Sequence, residues 1–328
     1  PASASTRAPE RMTHAEQRLA AGTGYVLAVG AANMDITGST THAPTQGDSC
    51  PGQVHCAAGG VARNVAENLA RLGLDVRLLC ALGDDLYGRS LLEHTRNAGV
   101  DMRWCRVWPG LPTSTYMSLH GADGDSVAAV SDMTILEHIT PDHLSQHPDL
   151  LWGATALLVD CNLAHAALGW LFAQAGDVPV YIDSVSVAKC RQVLPWLGQV
   201  HTLKANRLEA QALWGQPLHH DADTQAAARW LHTQGVRNVV LSLGGRGVYW
   251  SDGRQSGWQA ALPVPVVNAT GAGDALIAGL VCASLRGAGL PEAVQFAIGC
   301  AALTLTAAHA NHPGLSVAAV EQLIDSFE

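Results

Sequence analysis

The sequence predicts an α/β protein with a mostly parallel central sheet, helices on both of its faces and a small β-sheet lid. Short apolar runs alternate with segments whose apolar residues recur at helical spacing. Two stretches rich in turn residues or in polar–apolar alternation interrupt that rhythm. Hydrophobic residues make up 48% of the 328 residues, which is enough for a sizeable core.

The individual elements follow from these patterns. The first strand is predicted at residues 25–29, and a helix follows from Val61 to a stop at Gly73. A later helix is predicted at residues 225–234. Further strands are predicted at residues 76–82, 156–160, 178–182, 238–243 and 247–250. Strands separated by helices in this way form a parallel sheet.

Residues 37–57 and 104–130 are interpreted as short strands of a lid that is inserted into one domain spanning residues 25–328. Ordinary surface loops are the alternative, but long loops in compact domains are uncommon unless they serve a site. The first 24 residues are polar and rich in Ala, Ser and Thr, and they are predicted to form a flexible tail.

The composition argues against several classes of protein. A net charge of -9 argues against a general nucleic-acid binder, which needs a basic face. No apolar run reaches the length of a membrane span. The eight cysteines contain no C-x-x-C pair, so buried thiols in a reducing cytoplasm are favoured over disulfides or a zinc site.

The most informative stretch is residues 270–274, TGAGD, which precedes a helix without a charged residue until Arg286. The start of a helix offers free N–H groups and a positive dipole, and Gly271 and Gly273 let an anion approach closely. This is not a Walker loop, because no Gly-Lys-Ser/Thr follows. Asp274 could cap the helix, or it could accept the proton of an attacking hydroxyl group.

These residues carry a resemblance. Residues 270–274 resemble the C-terminal signature of the ribokinase-like (PfkB) carbohydrate kinases, and residues 59–64, GGVARN, resemble the N-terminal signature. The two stand in the family's order, and the similarity extends from residue 25 to the C-terminus. The resemblance implies a ribokinase-like fold, ATP and Mg²⁺ as cofactors, and Asp274 as the base. It also implies an anion hole formed by Gly271, Ala272 and Gly273.

The resemblance further implies a nucleotide side. Asn206 and Glu209 match an Asn-x-x-Glu motif that organises Mg²⁺ and phosphate through water, although alone they would be neighbours on a helix face. Residues 242–247 resemble an element that borders the nucleotide, with a hairpin turn as the alternative. The residues expected to contact ATP are Lys189, Lys204, Asn206, Glu209, Ser242, Gly244, Gly247 and Thr270. Either lysine could instead be a solvated surface residue.

An acceptor side is expected where the first strand ends. Asp35 follows that strand, and a carboxylate can accept two hydrogen bonds from a vicinal diol. The family holds its sugar with an acidic residue there, whereas a turn Asp is the alternative. The residues expected to contact the acceptor are Asn33, Asp35, Gly59, Gly60, Asn64, Thr115, Asp132 and Asn162.

Within the family, the sequence is most similar to the pseudouridine kinases, notably at residues 32–35, 60–64 and 201–210. Arg63 is informative, because sugar kinases of the family more often have a small residue before that Asn. The implied reaction converts ATP and pseudouridine to ADP and pseudouridine 5′-phosphate. Another nucleoside or a free sugar is the first alternative, and a non-catalytic binding protein is the second. An NAD-dependent oxidoreductase is weaker, because no G-x-G-x-x-G follows the first strand.

Two further expectations concern ions and assembly. Asn268 stands where many ribokinases have an Asp that helps to bind a monovalent cation, which weakens the case for activation by K⁺. Open strand edges invite pairing, and members of the family often dimerise through the lid. A homodimer formed through the lid is therefore expected.

Overall fold

The structure, a computed structural model, describes residues 24–44 and 47–327, so the predicted tail up to residue 23 lies outside the described residues. The strands are β1 (Tyr25–Val29), β2 (Asn33–Thr40), β3 (Gly52–Gly59), β4 (Val76–Leu79), β5 (Ala81–Gly83), β6 (Arg106–Trp108), β7 (Thr115–His120), β8 (Ser126–Asp132), β9 (Ala154–Asp160), β10 (Val180–Asp183), β11 (Thr202–Asn206), β12 (Asn238–Ser242), β13 (Val248–Ser251) and β14 (Ser256–Gln259). The helices are α1 (Val61–Arg71), α2 (Leu86–Asn97), α3 (Pro141–Leu144), α4 (Pro148–Trp152), α5 (His165–Gln174), α6 (Arg207–Trp214), α7 (Asp221–Thr233), α8 (Ala272–Leu285), α9 (Leu290–Leu305) and α10 (Val317–Asp325).

An eight-stranded sheet in the order β14-β13-β12-β11-β10-β9-β1-β4 forms the centre of the molecule. Its pairs from β4 to β12 are parallel, and β13 and β14 are antiparallel. Every residue of β1 and β9 is buried, because helices cover both faces of the sheet. Leu27 and Leu157 pack into one core cluster, whereas Val26 and Leu158 pack into the other. The predicted α/β architecture is confirmed.

A separate four-stranded sheet in the order β3-β2-β7-β8 matches the expected small lid sheet. Its strands β2 and β7 are parallel, and the other two pairs are antiparallel. The strand β6 lies within the second predicted lid segment, but it pairs with β5 in a two-stranded sheet. The run predicted as one strand at residues 76–82 is divided between β4 and β5, since its second half leaves the central sheet to meet β6.

The strand β11 was not among the predicted strands. Its sequence is TLKAN, and Lys204 interrupts the apolar pattern that marks the other central strands. The ammonium group is nevertheless buried, because it pairs with Asp183 at the end of the neighbouring strand β10. A buried ion pair thus occupies a place where the sequence pattern alone would require an apolar residue.

The fold gathers the polar residues at one edge of the central sheet. Asp160, Asp183, Asn206 and Ser242 are the last residues of β9, β10, β11 and β12. Ligands of open α/β sheets bind beyond these carboxyl ends. Within the described part of the chain, no helix is long and apolar enough to cross a membrane. All eight cysteines are free thiols; five are buried as expected, whereas Cys56 is exposed.

Candidate active site

Asp274 lies at the third position of α8, below the glycine loop, and only 9% of it is exposed. Its Oδ2 accepts a hydrogen bond of 2.7 Å from Nδ2 of Asn64. Burial and the negative charge of Asp183 raise the pKa of Asp274 to about 7, against the opposing effects of Lys204, Asn64 and Arg63. The carboxyl group is therefore poised to lose and gain a proton near neutral pH.

The loop before α8 has the shape expected of an anion site. Gly271 caps the helix with φ of 82°, and a Cβ there would lie 2.0 Å from the carbonyl oxygen of Ala310. A Cβ on Gly273 would lie 2.7 Å from Nζ of Lys204. Position 271 therefore requires glycine, whereas a side chain at position 273 would have to displace the buried ammonium group that lies against the loop. The free N–H groups of the first turn of α8 add further positive potential.

Lys204 is a buried cation beside this loop, and not a solvated surface lysine. Its Nζ donates to Oδ2 of Asp183 at 3.0 Å. Burial opposes the positive charge, but Asp183, Glu209 and Asp274 outweigh it and raise the pKa of Lys204. Asp183 was not predicted as a site residue. The available signal was its place at the end of an apolar strand, in register with Asp160 and Lys204.

Asn206 and Glu209 form a capping box at the start of α6. Oε2 of Glu209 accepts from the Ser184 hydroxyl at 2.6 Å and from the Asn206 N–H at 2.8 Å. Within the described residues, no three His, Cys, Asp or Glu side chains converge to hold a metal directly. Mg²⁺ usually keeps several waters and binds through one or two carboxylates and substrate phosphates. The pair thus fits Mg²⁺ held through water.

Asp35, the centre of the predicted acceptor side, lies in a buried polar cluster. Oδ1 of Asp35 accepts from Nδ2 of Asn33 at 2.6 Å, and burial raises the pKa of Asp35. A Cβ on Gly59 would lie 2.2 Å from Oδ2 of Asp35, so a larger residue there would displace the carboxylate. Gly60 has φ of 98° and packs against the carbonyl oxygen of Ala31. The two glycines let β3 and α1 meet directly beside Asp35.

Asp160 organises this region and was missed as a site residue. It is fully buried, and its Oδ2 accepts from the backbone N–H groups of Ala31 at 2.8 Å and Ala62 at 3.0 Å. Its Oδ1 accepts from the N–H of Asn162 at 2.9 Å. One carboxylate thus ties together the ends of β1 and β9 and the start of α1. An Asp at the end of an apolar strand was the signal for it.

Asn162 and Lys189 were predicted on opposite sides of the site, but the structure brings them together. Nζ of Lys189 donates a hydrogen bond to Oδ1 of Asn162. Burial lowers the pKa of Lys189, although the charge of Asp160 opposes this effect. The two side chains therefore lie in one part of the site, although the sequence analysis assigned them to different ligands.

Thr115 and Asp132 are cross-strand partners in the small sheet, in register with Met34. Side chains alternate between the faces of a sheet, so both lie on the face opposite Asp35. The carboxylate of Asp132 is exposed and accepts from the Thr134 hydroxyl at 2.7 Å. This placement argues against direct contact of Thr115 and Asp132 with an acceptor held by Asp35. In register with Asp35 on its own face lie Ala57 on β3, Tyr116 on β7 and, one strand further, Ser131 on β8.

The expected nucleotide border lies at the end of β12. Ser242 ends that strand, a short turn at Gly244–Arg246 follows, and β13 returns antiparallel. The segment is therefore a hairpin in shape, as the alternative interpretation supposed. Gly247 has φ of 92°, and a Cβ there would lie 2.0 Å from the carbonyl oxygen of Gln259. Thr270 is exposed, and its N–H donates to Oδ1 of Asn268 at 2.9 Å.

Comparisons with known proteins agree with this geometry. A family model described as pfkB family carbohydrate kinase matches residues 23–316. Pseudouridine kinase of Escherichia coli is 43% identical over 305 residues, which cover 93% of this chain and 97% of that protein. YeiI, an uncharacterized sugar kinase of the same organism, is 42% identical over 89% of this chain and 81% of its own length.

A ribokinase of Arabidopsis thaliana, solved with ribose and ATP, matches the fold with a TM-score of 0.84. It is 22% identical, and the match covers 92% of this chain and 99% of the ribokinase. The chain belongs to the PfkB family of carbohydrate kinases, which are phosphotransferases that use an alcohol group as acceptor.

Proposed function

We propose that this kinase transfers the γ-phosphoryl group of ATP to the 5′-hydroxyl of pseudouridine, giving ADP and pseudouridine 5′-phosphate. The observation that carries the chemistry is the buried carboxyl group of Asp274, with its pKa of about 7, beside a glycine loop that rests on Lys204. The 43% identity to a pseudouridine kinase supports the substrate. A sugar acceptor is the second candidate, because a sugar kinase is 42% identical.

Asp274 is proposed as the general base. It accepts the proton of the 5′-hydroxyl as that oxygen bonds to the γ-phosphorus and the bond to the ADP oxygen breaks. N–H groups of Gly271, Ala272 and Gly273, together with Lys204, stabilise the charge on the transferring group. ATP supplies the phosphoryl group, and Mg²⁺, when bound, would neutralise the negative charge of the phosphates. Asn206 and Glu209 are proposed to hold the waters of that ion.

The nucleoside is proposed to lie between the small sheet and the end of β1. Asn33, Asp35 and Asn64 bind the ribose hydroxyls, and Gly59 and Gly60 leave room for them. Asn162 and Lys189 border the same side. Tyr116 and Ser131 lie on the face of the lid that carries Asp35, where they can meet the polar edge of the base. Buried polar partners discriminate strongly against a ligand that leaves them unpaired.

The nucleotide is proposed to lie across the hairpin and the anion loop. Ser242, Gly244 and Gly247 border it on one side, and Thr270 borders it on the other. The open backbone of Gly244, where a Cβ would meet nothing within 4 Å, leaves space for a flat base. This assignment follows from the position of both segments at the carboxyl edge of the sheet.

The decisive experiment measures kcat/KM with ATP and Mg²⁺ for pseudouridine, uridine, adenosine, ribose and fructose. A preference of at least about tenfold for pseudouridine, worth about 1.4 kcal/mol, supports the proposed substrate. Preference for ribose or fructose replaces it with the sugar candidate. Absence of turnover with any of the five contradicts both candidates. Asp274→Asn serves as the control that turnover belongs to this site.

A further inference from the structure

Arg63 is a fully buried guanidinium group in the first turn of α1, and the proposed reaction leaves it without a role. Its Nε donates to the carbonyl oxygen of Gly59 at 2.9 Å, and its Nη1 donates to Oε2 of Glu67 at 2.6 Å. Its Nη2 donates to the side-chain oxygens of Asn64 and Asn311, the latter at 2.7 Å. One rigid fork therefore connects β3, α1 and the segment after α9.

The charge of Arg63 is neutralised by an ion pair that extends to the surface. Glu67 is 1% exposed and also accepts from Arg71 at 2.7 Å and from His94 at 3.3 Å. Burial opposes ionisation of Glu67, but these hydrogen bonds and the charge of Arg63 lower its pKa to about 2. A buried ion pair is weak evidence for stability, because apolar residues of similar volume often stabilise as well. The geometry of the fork suggests another purpose.

We propose that Arg63 and Asn311 form a clamp that orients the side-chain amide of Asn64, so that its Nδ2 donates to Asp274. An amide has one acceptor end and one donor end. Arg63 offers only donors, so Oδ1 of Asn64 must face the guanidinium, and its NH₂ group must face the carboxylate. The reversed amide would place NH₂ against a cation and oxygen against an anion. This inference rests on the proposed role of Asp274 as the base.

Asn311 completes the clamp on the backbone side. Its Nδ2 donates to the carbonyl oxygen of Asn64 at 2.9 Å and to Oδ1 of Asn68 at 2.8 Å. The preceding residue, Ala310, places its carbonyl oxygen against Gly271 of the anion loop. The same short segment thus touches the anion loop and fixes Asn64. Asn64 holds Oδ2 of Asp274. Oδ1 of Asp274 is therefore left to receive the proton of the acceptor hydroxyl.

Arg63→Lys tests the clamp, since it keeps the charge but cannot form the same fork. We expect kcat to fall about 10- to 100-fold, the size of effect that a misplaced catalytic group produces. The KM for ATP should stay unchanged. The acid limb of the kcat–pH profile should move to higher pH, because Asp274 loses the hydrogen bond of an oriented Asn64.

The matched control is Arg71→Lys, which perturbs the same Glu67 but donates its hydrogen bonds to Glu67 and Pro313 and not to Asn64. It should lower the melting temperature without moving the acid limb. A double-mutant cycle adds a second reading: in an Asn64→Ala background, Arg63→Lys should have little further effect on kcat, because the amide that it orients is gone. Should Arg63→Lys fail to fold, Asn311→Ala tests the other arm and should move the acid limb in the same direction.

The inference is overturned if Arg63→Lys keeps the wild-type pH profile, behaves like Arg71→Lys, or adds its full effect to that of Asn64→Ala. For Asn311→Ala, an unmoved acid limb has the same meaning. Failure of the proposed role of Asp274 is distinguishable, because it appears as near wild-type turnover in Asp274→Asn. An inactive Asp274→Asn together with an unperturbed Arg63→Lys refutes the clamp alone.

Discussion

Protonation of one carboxyl group should set the pH dependence of the reaction. Burial and Asp183 raise the pKa of Asp274 to about 7, while Lys204, Asn64 and Arg63 oppose this shift. The base works only when ionised, so kcat should fall about tenfold per pH unit below that pKa and level off above it. Initial rates at saturating substrates between pH 5 and 9 check this expectation. A flat profile down to pH 5 would contradict it.

Asp274→Asn should separate activity from stability. We expect kcat to fall by about 10²–10⁴-fold, the usual contribution of a general base. The pKa of the wild-type carboxyl group is near its ordinary value of 3.8 in the unfolded chain and about 7 in the folded protein, so its burial costs stability increasingly as the pH rises between those two values. The variant should therefore gain more in melting temperature at pH 8 than at pH 5. Thermal unfolding at both pH values measures this difference, and an equal or opposite difference would count against the raised pKa.

The residues that the sequence identified were those inside compact motifs. Asp274 and Glu209 belong to short runs whose spacing carries information, and the structure places both beside Lys204. Asp160 and Asp183 were not predicted as site residues, because their partners lie in other elements, and no local sequence pattern indicates such pairing. Asn311 likewise acts on a helix almost 250 positions earlier in the chain.

At the level of elements, Gly59 in β3 leaves space for the carboxylate of Asp35 on the neighbouring strand β2. A Cβ there would lie 2.2 Å from Oδ2 of Asp35, so Gly59→Ala must displace that carboxylate. We expect the KM for the acceptor to rise about tenfold or more, the loss of roughly one charged hydrogen bond, with the KM for ATP unchanged. Gly198→Ala is the matched control, since a Cβ there would lie 3.5 Å from the carbonyl oxygen of Gln234, an ordinary contact outside the proposed site. An unchanged acceptor KM in Gly59→Ala would remove Asp35 from the acceptor site.

The loop that precedes α8 should make the enzyme insensitive to K⁺. Nδ2 of Asn268 donates to the carbonyl oxygen of Ala308 at 2.9 Å, and its Oδ1 accepts from the N–H of Thr270 at 2.9 Å. A neutral amide thus joins the two segments, and it brings no negative charge that would attract a cation. Rates in K⁺, Na⁺ and choline buffers of equal ionic strength should agree within about twofold. Activation by K⁺ well beyond that range would refute this expectation.

Helices and strands were predicted correctly where the apolar residues followed one regular spacing, that of a helix or that of a strand. The strand β1 was predicted with its observed bounds, because all five residues are apolar and stand between Gly24 and Gly30. The division at Cys80 was not predictable, since residues on both sides are equally apolar and the break depends on pairing with the distant β6. Thr115 and Asp132 illustrate the same limit in the lid, because register decides which face a side chain occupies.

For the whole molecule, alternation of strands and helices predicted a parallel sheet but not its strand order. The order depends on crossovers that are distant in sequence, such as the pairing of β1 with β9. The small sheet also joins distant segments, since β2 pairs with β7. Its two faces nevertheless differ in polarity, as the alternation of polar and apolar residues in its strands predicts. Asp35, Thr37 and Ser118 lie on one face, and we call the opposite one, with Val54, Met117 and Val130, the outer face.

The outer face leads to the last prediction, which is a homodimer formed through the small sheets of two chains. Val54, Met117 and Val130 are 69%, 52% and 65% exposed in the single chain. Apolar residues clustered on one face of a sheet mark a contact surface more strongly than scattered ones do. We expect light scattering to give twice the 34.3 kDa mass of one chain.

Met117→Glu combined with Val130→Glu should yield monomers, because the two carboxylates cannot be buried unpaired in the interface. Trp152→Glu replaces another exposed apolar side chain, 54% exposed and outside the small sheet, and should leave the dimer intact. If the lid depends on its partner for support, the monomeric variant should also bind the acceptor more weakly while its KM for ATP stays constant. A monomeric wild-type protein, or a dimer that survives both glutamates, would show that the outer face is not the interface.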